Sequence, residues 1–439
     1  MLRLGSSNLL RKLQPWAHKG GLSVLDQGLI TGSNFLISVL LARWLTAEQY
    51  GAYAVAFGVF VLLSLVYGAL VLEPMSVFGG STYRNNFRAY FASLMWIHVT
   101  LSLAIFLLFG ISAAASRMLG AAAGIPAALA GVTVASPCVL FFWLARRSCY
   151  LELVPAQAVA GAFVYSSFVL VTLWFFYLSH LLSPFTAFVL IAIGSLGTGS
   201  FLVFRRRLLS HPEGPRPSTW ATARQHWGYG AWALAAAIAS WIPAYIYYPI
   251  LSSFGSMAQS GQLKALMNLT LPVEQIKAAL SMILLPYAAG VQHGSDGSGA
   301  KILSIRMTLL GIGIALAYWA IILPLNRPLF HLLYSGKYDD VAYQIPIVAV
   351  GSIFWTAAYG PSIALRGMKS PTSVFYAWGF AAIASLLIGI PATWYFGLSG
   401  GIWGTNVSDI VSFAAVSFML HRRLKAHTPV LTSEPEFLC

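Results

Sequence analysis

Charged residues are scarce in this sequence: they make up 9% of its 439 positions, whereas 58% of the positions are hydrophobic. The surface of a soluble domain needs a much larger charged fraction. A mean hydropathy of +0.75, with apolar runs of about 20 residues along the whole length, is typical of a chain surrounded by lipid. The composition therefore excludes soluble, disordered and fibrous proteins.

Cysteines and catalytic motifs are also scarce. The three cysteines, Cys138, Cys149 and Cys439, are an odd number and indicate no disulfide framework. The sequence contains no Walker loop, no His-Glu-x-x-His motif, no paired-cysteine zinc spacing and no nucleophile elbow. We therefore expect no ATP hydrolysis, no bound metal or cofactor and no enzymatic activity.

Apolar segments long enough to cross a bilayer as helices occur about twelve times. Their approximate limits are 22–44, 52–76, 89–114, 120–144, 153–178, 182–204, 229–251, 262–289, 303–323, 342–364, 373–396 and 401–420. Residues 1–20 mix leucines with Arg and Lys and lack a continuous apolar run, so they predict an amphipathic helix at the membrane interface rather than a signal peptide. The predicted fold class is an all-α polytopic membrane protein.

The distribution of Lys and Arg predicts the orientation of the chain. With the N-terminus inside, only five of the 26 basic residues fall in outer segments, and Lys277 lies within a span. The five outer residues are Arg43, Arg117, Lys264, Arg327 and Lys337. By the positive-inside rule both termini are cytoplasmic. The net charge of +14 is thus explained by the basic residues of the cytoplasmic segments. We therefore expect no nucleic-acid partner.

Internal similarity divides the chain into two six-helix lobes. Three residues in or beside the fourth span recur at a constant offset of 220 in the tenth: Pro126, Gly131 and Arg146 match Pro346, Gly351 and Arg366. Gln49 and Gly51 recur as Gln259 and Gly261. The predicted organisation is an interfacial segment over 1–20, an N-lobe over 21–204, a cytoplasmic linker over 205–228, a C-lobe over 229–420 and a cytoplasmic tail over 421–439. Two parallel lobes related by an axis along the membrane normal are typical of transporters.

Polar side chains inside the spans are candidates for function, because an ionised side chain near the bilayer centre costs about 2.5 to 3.5 kcal/mol unless it faces water or a partner. Three spans carry polar stripes at helical spacing. They are Gln27, Thr31, Asn34 and Ser38, with Asp26 beside them, in the first span; Thr270, Glu274, Lys277 and Ser281 in the eighth; and Thr405, Asp409 and Ser412 in the twelfth. We expect these stripes to line a polar interior.

Several of these charged groups also have a purely structural interpretation. Glu274 and Lys277, three residues apart, suit a neutralising ion pair. Arg146 and Arg366 could be basic anchors on the cytoplasmic side. Because their positions in the two lobes match, they could also lie on the two sides of a common inner mouth. Glu73 precedes Pro74, which suits a solvated carboxylate at a kinked helix end. The sequence leaves these alternatives open.

Residues 40–54, in which Leu40-Leu41-Ala42-Arg43 precedes Glu48-Gln49-Tyr50-Gly51, resemble the first-loop signature of a known transporter family. These are the Wzx-type polysaccharide transporters of the multidrug/oligosaccharidyl-lipid/polysaccharide (MOP) exporter superfamily. Thr46-Ala47 stands where that signature has a Gly-Pro turn. Residues 366–371 and 396–404 are similar to the closing segments of the family, and residues 328–338 to its stretch after the ninth span. The likeness covers most of the chain.

The resemblance implies a flippase that moves polyprenyl-diphosphate-linked (undecaprenyl) oligosaccharide repeat units from the cytoplasmic to the outer leaflet by alternating access. Its setting would be O-antigen or exopolysaccharide assembly at the bacterial inner membrane, with a polysaccharide polymerase and chain-length proteins as partners. A diphosphate needs basic groups in a shielded cleft. The substrate-binding candidates are Lys277, Arg146, Arg366, Gln27 and Asn34. The candidates for gating or for a coupling proton or sodium ion are Asp26, Glu274, Asp409 and Glu73.

Two other functions are alternatives. A cation-coupled drug or small-molecule exporter of the same superfamily would use the carboxylates of Glu274 and Asp409, although basic cleft residues disfavour cationic drugs. A membrane-embedded polysaccharide polymerase or ligase would need a catalytic platform on the outer face. The longest outer segment, about 324–341, is short for that purpose.

Overall fold

The structure, a computed structural model, describes residues 6–120, 124–210, 215–277, 298–368 and 370–427. For residues 6–19, 298, 371 and 426–427 the backbone alone is described. The described residues form helices joined by short turns, with no β-strand among them. The all-α fold class predicted from the sequence is confirmed.

The helices are labelled here in chain order. The first ten are α1 (Ser6–Trp44), α2 (Ala47–Tyr67), α3 (Glu73–Gly80), α4 (Phe87–Met118), α5 (Gly124–Leu151), α6 (Pro155–Leu178), α7 (Pro184–Arg205), α8 (Thr219–Tyr245), α9 (Tyr247–Phe254) and α10 (Met257–Asn268). The others are α11 (Ser298–Ile322), α12 (Asn326–Tyr334), α13 (Ile345–Ala357), α14 (Tyr359–Gly367), α15 (Pro371–Ala384) and α16 (Ile390–His427). Residues 271–277 are also helical.

Nine helical segments in the described part of the chain are long and apolar enough to cross a membrane, and α8 with α9, bent by 42°, makes a tenth. The longest segment, Thr372–Lys425, has non-helical backbone angles at Gly397 (φ 55°, ψ −131°), which glycine adopts at little cost. This break separates the predicted eleventh and twelfth spans. The predicted eighth span lies partly outside the described residues. Residues 6–20 are helical and continue into the first span, and their interfacial location stays a prediction.

Local sequence signals explain where several helices begin. Thr46 and Ser183 form capping boxes at the starts of α2 and α7, where each side chain accepts a hydrogen bond from a backbone N–H of the first turn. Proline occupies the first turn of α6, α7 and α15, where its missing N–H leaves no helical bond unmade. A π-helical turn over Gly68–Leu72 precedes Glu73 and Pro74. The regular helix is therefore interrupted at the position where the sequence predicted a kink.

The contacts within the chain divide it into two compact units. Unit 1 comprises Met1–Asn268 and Phe330–Val341, and unit 2 comprises Leu269–Leu329 and Ala342–Cys439. This partition follows packing, and it does not test the division into two six-helix lobes joined by a linker over 205–228. That division stays a prediction.

Two repeated glycines lie at a close contact between α2 and α10 in unit 1. A Cβ atom at Gly51 would overlap the carbonyl oxygen of Met257, and one at Gly261 would lie 2.7 Å from the carbonyl oxygen of Ala47. Ala47 and Met257 are the first residues of the two helices and are separated by the same 210 positions as the two glycines. The contact is therefore reciprocal, which is the geometry that an internal repeat predicts.

Candidate functional site

A buried ion pair joins α1 to α5 in unit 1. The Asp26 side chain is fully buried, and Arg146 donates from Nε to its two carboxylate oxygens at 3.0 and 2.9 Å, with Nη2 at 2.5 Å from Oδ2. The Tyr150 hydroxyl donates to the same carboxylate, and Arg146 Nη2 donates to Gln27 Oε1 at 3.4 Å. Because Arg146 and Tyr150 are four residues apart, they lie on one face of α5. Two of the predicted charged residues of this unit, Asp26 and Arg146, therefore neutralise each other.

The remaining polar face of α1 has three different environments. Gln27 Nε2 donates to Thr31 Oγ1 at 3.2 Å, as their spacing of four predicts. Ser38 Oγ lies 2.9 Å from the Tyr50 hydroxyl and donates to Asn268 Oδ1 at 3.0 Å in a buried network. Asn34, between them, is exposed. The inner part of the stripe thus adjoins the ion pair, and the outer part packs against α2 and α10.

Glu73 lies apart from this ion pair, at the exposed start of α3, where it interacts electrostatically with Arg147. This position fits a solvated carboxylate at a helix end. A role of Glu73 in gating or coupling stays a prediction.

A second ion pair in unit 1 was not predicted from the sequence. Arg206, immediately after α7, is buried, pairs with Glu152 and donates to Ser148 Oγ at 2.5 Å. The pair connects the end of α7 to the end of α5. In the sequence, Arg206 lies between two other arginines, and all three count equally as basic residues of the cytoplasmic side. No sequence feature therefore indicates that Arg206 in particular forms an ion pair.

In unit 2, Lys277 lies among residues from four parts of the chain. Its ammonium group is 3.8 Å from the centre of the Trp355 ring on α13, an arrangement that offsets part of the cost of removing the charge from water. It interacts electrostatically with Glu274 one turn earlier, with Asp409 on α16 and with Arg366 on α14. The structure thus brings together the four charged residues that the sequence singled out in this part of the chain.

The two carboxylates of this group, Glu274 and Asp409, are held by neighbouring polar and small residues. Thr270 Oγ1 donates to Glu274 Oε1 at 3.1 Å. A Cβ atom at Gly351 would overlap the amide oxygen of Asn406 and would lie 3.1 Å from Asp409 Oδ2, so a larger residue there would require these side chains to move. Glu274, Lys277 and Asp409 are each half-buried.

Arg366 differs from Arg146, its counterpart in the repeat. It is exposed, and no carboxylate of the described residues lies within ion-pair distance of its guanidinium group. Since arginine binds phosphate in a bidentate manner, an unpaired guanidinium near Lys277 is suited to an anionic phosphate group. No cluster of three or more His, Cys, Asp or Glu suitable for a metal ion occurs in the described ranges.

Comparison with solved structures identifies proteins of the same fold. The chain is similar to a multidrug resistance MATE family transporter of the MOP superfamily in an inward-facing conformation, with a TM-score of 0.73 and 13% identity, over 92% of this chain and 96% of that one. It is similar to the lipid II flippase MurJ in an inward closed conformation, with a TM-score of 0.71 and 12% identity, over 93% and 90%. A MOP superfamily transporter from Pyrococcus furiosus gives a TM-score of 0.66 and 12% identity, over 94% and 96%.

No protein-family model and no curated protein matches the sequence. At 12–13% identity the structural likeness concerns the fold alone, and all three similar proteins are transporters or flippases rather than enzymes. The fold of this multi-pass membrane protein is that of the MOP superfamily transporters.

Proposed function

We propose that this protein is a flippase that moves polyprenyl-diphosphate-linked oligosaccharides from the cytoplasmic to the outer leaflet of a bacterial inner membrane, by alternating access. The observation that carries the proposal is the grouping of Lys277 with Arg366 in unit 2, where Arg366 is exposed and has no carboxylate partner among the described residues. The resemblance of residues 40–54 to Wzx-type transporters and the fold shared with a lipid II flippase support it.

The chemistry of the substrate explains why such a group is needed. A diphosphate has to cross about 30 Å of hydrocarbon, and its charge is costly there unless basic side chains accompany it. Lys277 offers a point charge with three donors, and Arg366 offers a planar pair of donors that matches phosphate oxygens. In this proposal the polyprenyl tail stays in the lipid while the two cations bind the headgroup.

Glu274 and Asp409 have a second role in the proposal. Without substrate they compensate the charge of Lys277, and a diphosphate competes with them for the same ammonium group. Protonation or sodium binding at either carboxylate would release Lys277 for the substrate, so these two residues are the candidates for coupling to an ion gradient. Asp26 is already held by Arg146 and Tyr150 and takes a structural role in this scheme.

Export of cationic drugs or small molecules is the second candidate function. The carboxylates of Glu274 and Asp409 favour it, and so does the fold shared with a multidrug resistance transporter. The two functions differ in the residue that substrate must contact: a cation would bind Asp409 or Glu274 and be repelled by Lys277, whereas a diphosphate would bind Lys277 and be repelled by the carboxylates.

Reconstitution of the full chain in liposomes tests the proposal. A fluorescent polyprenyl-diphosphate oligosaccharide is placed in one leaflet, and its transfer is measured as protection from a membrane-impermeant quencher; efflux of ethidium is measured in parallel. We expect transfer of the glycolipid, its loss in Lys277→Met, and retention in Lys264→Met. Lys264 is a matched control because it is also buried against an aromatic ring, Phe57, at 4.3 Å. Ethidium efflux without glycolipid transfer would favour the drug exporter.

The orientation of the chain belongs to the same proposal. We expect a cysteine at Ser256 or Gly336 to react with an impermeant maleimide from outside, and one at Arg216 to be protected, because the Lys and Arg count places residue 216 on the cytoplasmic side. Labelling of residue 216 in intact cells would show that this residue lies outside, and the orientation and direction of transport that we propose would then be wrong.

A further inference from the structure

Unit 2 contains a groove that the proposed transport path does not use. It has a volume of about 310 Å³ and lies between α11 and α16, with Pro361 of α14 in its wall. Lys301 and His421 line one end, and Leu309 and Phe413 line the other. None of the described residues that line the groove is acidic.

The groove is polar and basic at one end and apolar at the other. On α11 the lining runs from Lys301 to Leu309, and on α16 it runs from Phe413 to Leu424, with His421 one turn before its end. These stretches extend about 12 Å along α11 and about 17 Å along α16. The hydroxyl of Ser304 lies one turn from Lys301, between the cation and the apolar part. The length of the groove is close to one leaflet of hydrocarbon, about 15 Å.

The two basic residues have no partner of their own. Lys301 and His421 are exposed, and within the described ranges neither side chain makes an ion pair or a hydrogen bond. The last turns of α16 add Arg422, Arg423 and Lys425 at the same end. By the Lys and Arg count this end faces the cytoplasm, and anionic lipids are attracted to basic pockets between helices on that side.

We propose that this groove binds an anionic phospholipid of the cytoplasmic leaflet, with its phosphate at Lys301 and His421 and one acyl chain along Leu309 and Phe413. Charge complementarity identifies the headgroup, and the length of the lined helix stretches, close to one leaflet, identifies a single leaflet lipid rather than a spanning segment. This lipid differs from the transported substrate, because the groove is distinct from the Lys277 group.

Native mass spectrometry of the purified full chain tests the proposal. Phosphatidylglycerol is compared with phosphatidylcholine of the same acyl chains. We expect one saturable phosphatidylglycerol site, weakened about five-fold in Lys301→Ala, since one basic residue near a membrane surface contributes about that factor in affinity. Arg422→Ala is the matched control. It removes a charge from the same end of α16 while the residue itself is not part of the groove, so we expect binding close to that of the unaltered chain.

A second variant tests the acyl-chain part of the groove without changing any charge. Ser417→Phe fills the groove, and Ile305→Trp does the same from its exposed edge should the first variant not fold. Either substitution should abolish the phosphatidylglycerol site. Four results would each overturn the proposal. They are equal binding of both lipids, equal weakening by Lys301→Ala and Arg422→Ala, unchanged binding after the groove is filled, and displacement of the lipid by glycerol 3-phosphate at the same concentration.

Discussion

Arg146 and Arg366 occupy matching positions in the two halves of the sequence but have opposite surroundings. Arg146 is bound through two nitrogens to the buried Asp26, whereas Arg366 is exposed and has no carboxylate partner among the described residues. The two halves thus use the same residue for different purposes. A half-buried arginine paired with a buried carboxylate stabilises a helix contact. An arginine close to Lys277 with no carboxylate partner among the described residues is suited to an anion.

The same contrast holds for the glycines of the repeat. A Cβ atom at Gly131 would lie 2.9 Å from the Cβ of Phe188, in the packing of α5 against α7. One at Gly351 would meet Asn406 and Asp409 instead. Apolar packing in unit 1 therefore corresponds to a polar contact in unit 2. Substitutions of the paired arginines and glycines therefore test whether the two halves of the chain differ in this way.

The largest effect on stability is expected for Asp26→Ala. It leaves Arg146 charged without its partner, which costs about 3 to 5 kcal/mol when a buried pair is broken on one side. We expect loss of folded protein in detergent-solubilised membranes, measured by size-exclusion chromatography of a fluorescent fusion. The double variant Asp26→Leu with Arg146→Met should recover folded protein. Normal yield of Asp26→Ala alone would contradict the structural role of this pair.

The glycine pair should separate stability from transport. Gly131→Ala crowds Phe188 and should lower the free energy of unfolding by about 1 to 3 kcal/mol. Gly351→Ala should cost a similar amount and in addition reduce glycolipid transfer per folded molecule, because Asn406 and Asp409 must move. Transfer is measured in the liposome assay after normalising for folded protein. Equal losses of transfer per folded molecule in both variants would contradict the difference that we infer between Gly131 and Gly351.

Arg366→Gln should change stability least, within about 0.5 kcal/mol, as is usual for exposed residues. Transfer of the diphosphate should nevertheless fall about ten-fold or more, since a hydrogen bond between charged groups contributes about 1.5 to 3 kcal/mol. Arg366→Lys keeps the charge and loses the planar pair of donors, so we expect it to retain part of the transfer activity that Arg366→Gln loses. Unchanged transfer in Arg366→Gln would exclude this residue from the substrate path.

The features of the fold that could be predicted from the sequence are those that depend on local composition. Apolar length gave the spans, and the interval between the predicted limits of the last two, 373–396 and 401–420, contains Gly397, where the helix is broken. Spacing of three and four residues placed Gln27 beside Thr31 and Glu274 beside Lys277. The repeat offset of 210 predicted that Gly51 and Gly261 are equivalent, and their reciprocal contact agrees with this.

Features that depend on contacts between distant helices could not be predicted. Nothing in the sequence near Asp26 indicates that its partners are Arg146 and Tyr150, 120 and 124 residues away. The ring of Trp355 beneath Lys277 is one of 14 tryptophans in an apolar chain, so it carried no signal. A helical pattern gives the face on which a residue lies, and the neighbouring helix that covers the face is decided by packing of the whole unit.

The central claim is that Lys277 binds substrate and does more than neutralise Glu274. Its most direct test compares glycolipid transfer in Lys277→Ala with that in the double variant Glu274→Ala with Lys277→Ala, each normalised for folded protein. We expect both variants to fold and both to fail to transfer the diphosphate, because the cation is missing in each. Replacing a whole buried ion pair is often neutral, so recovery of transfer in the double variant would show a structural pair and contradict the claim.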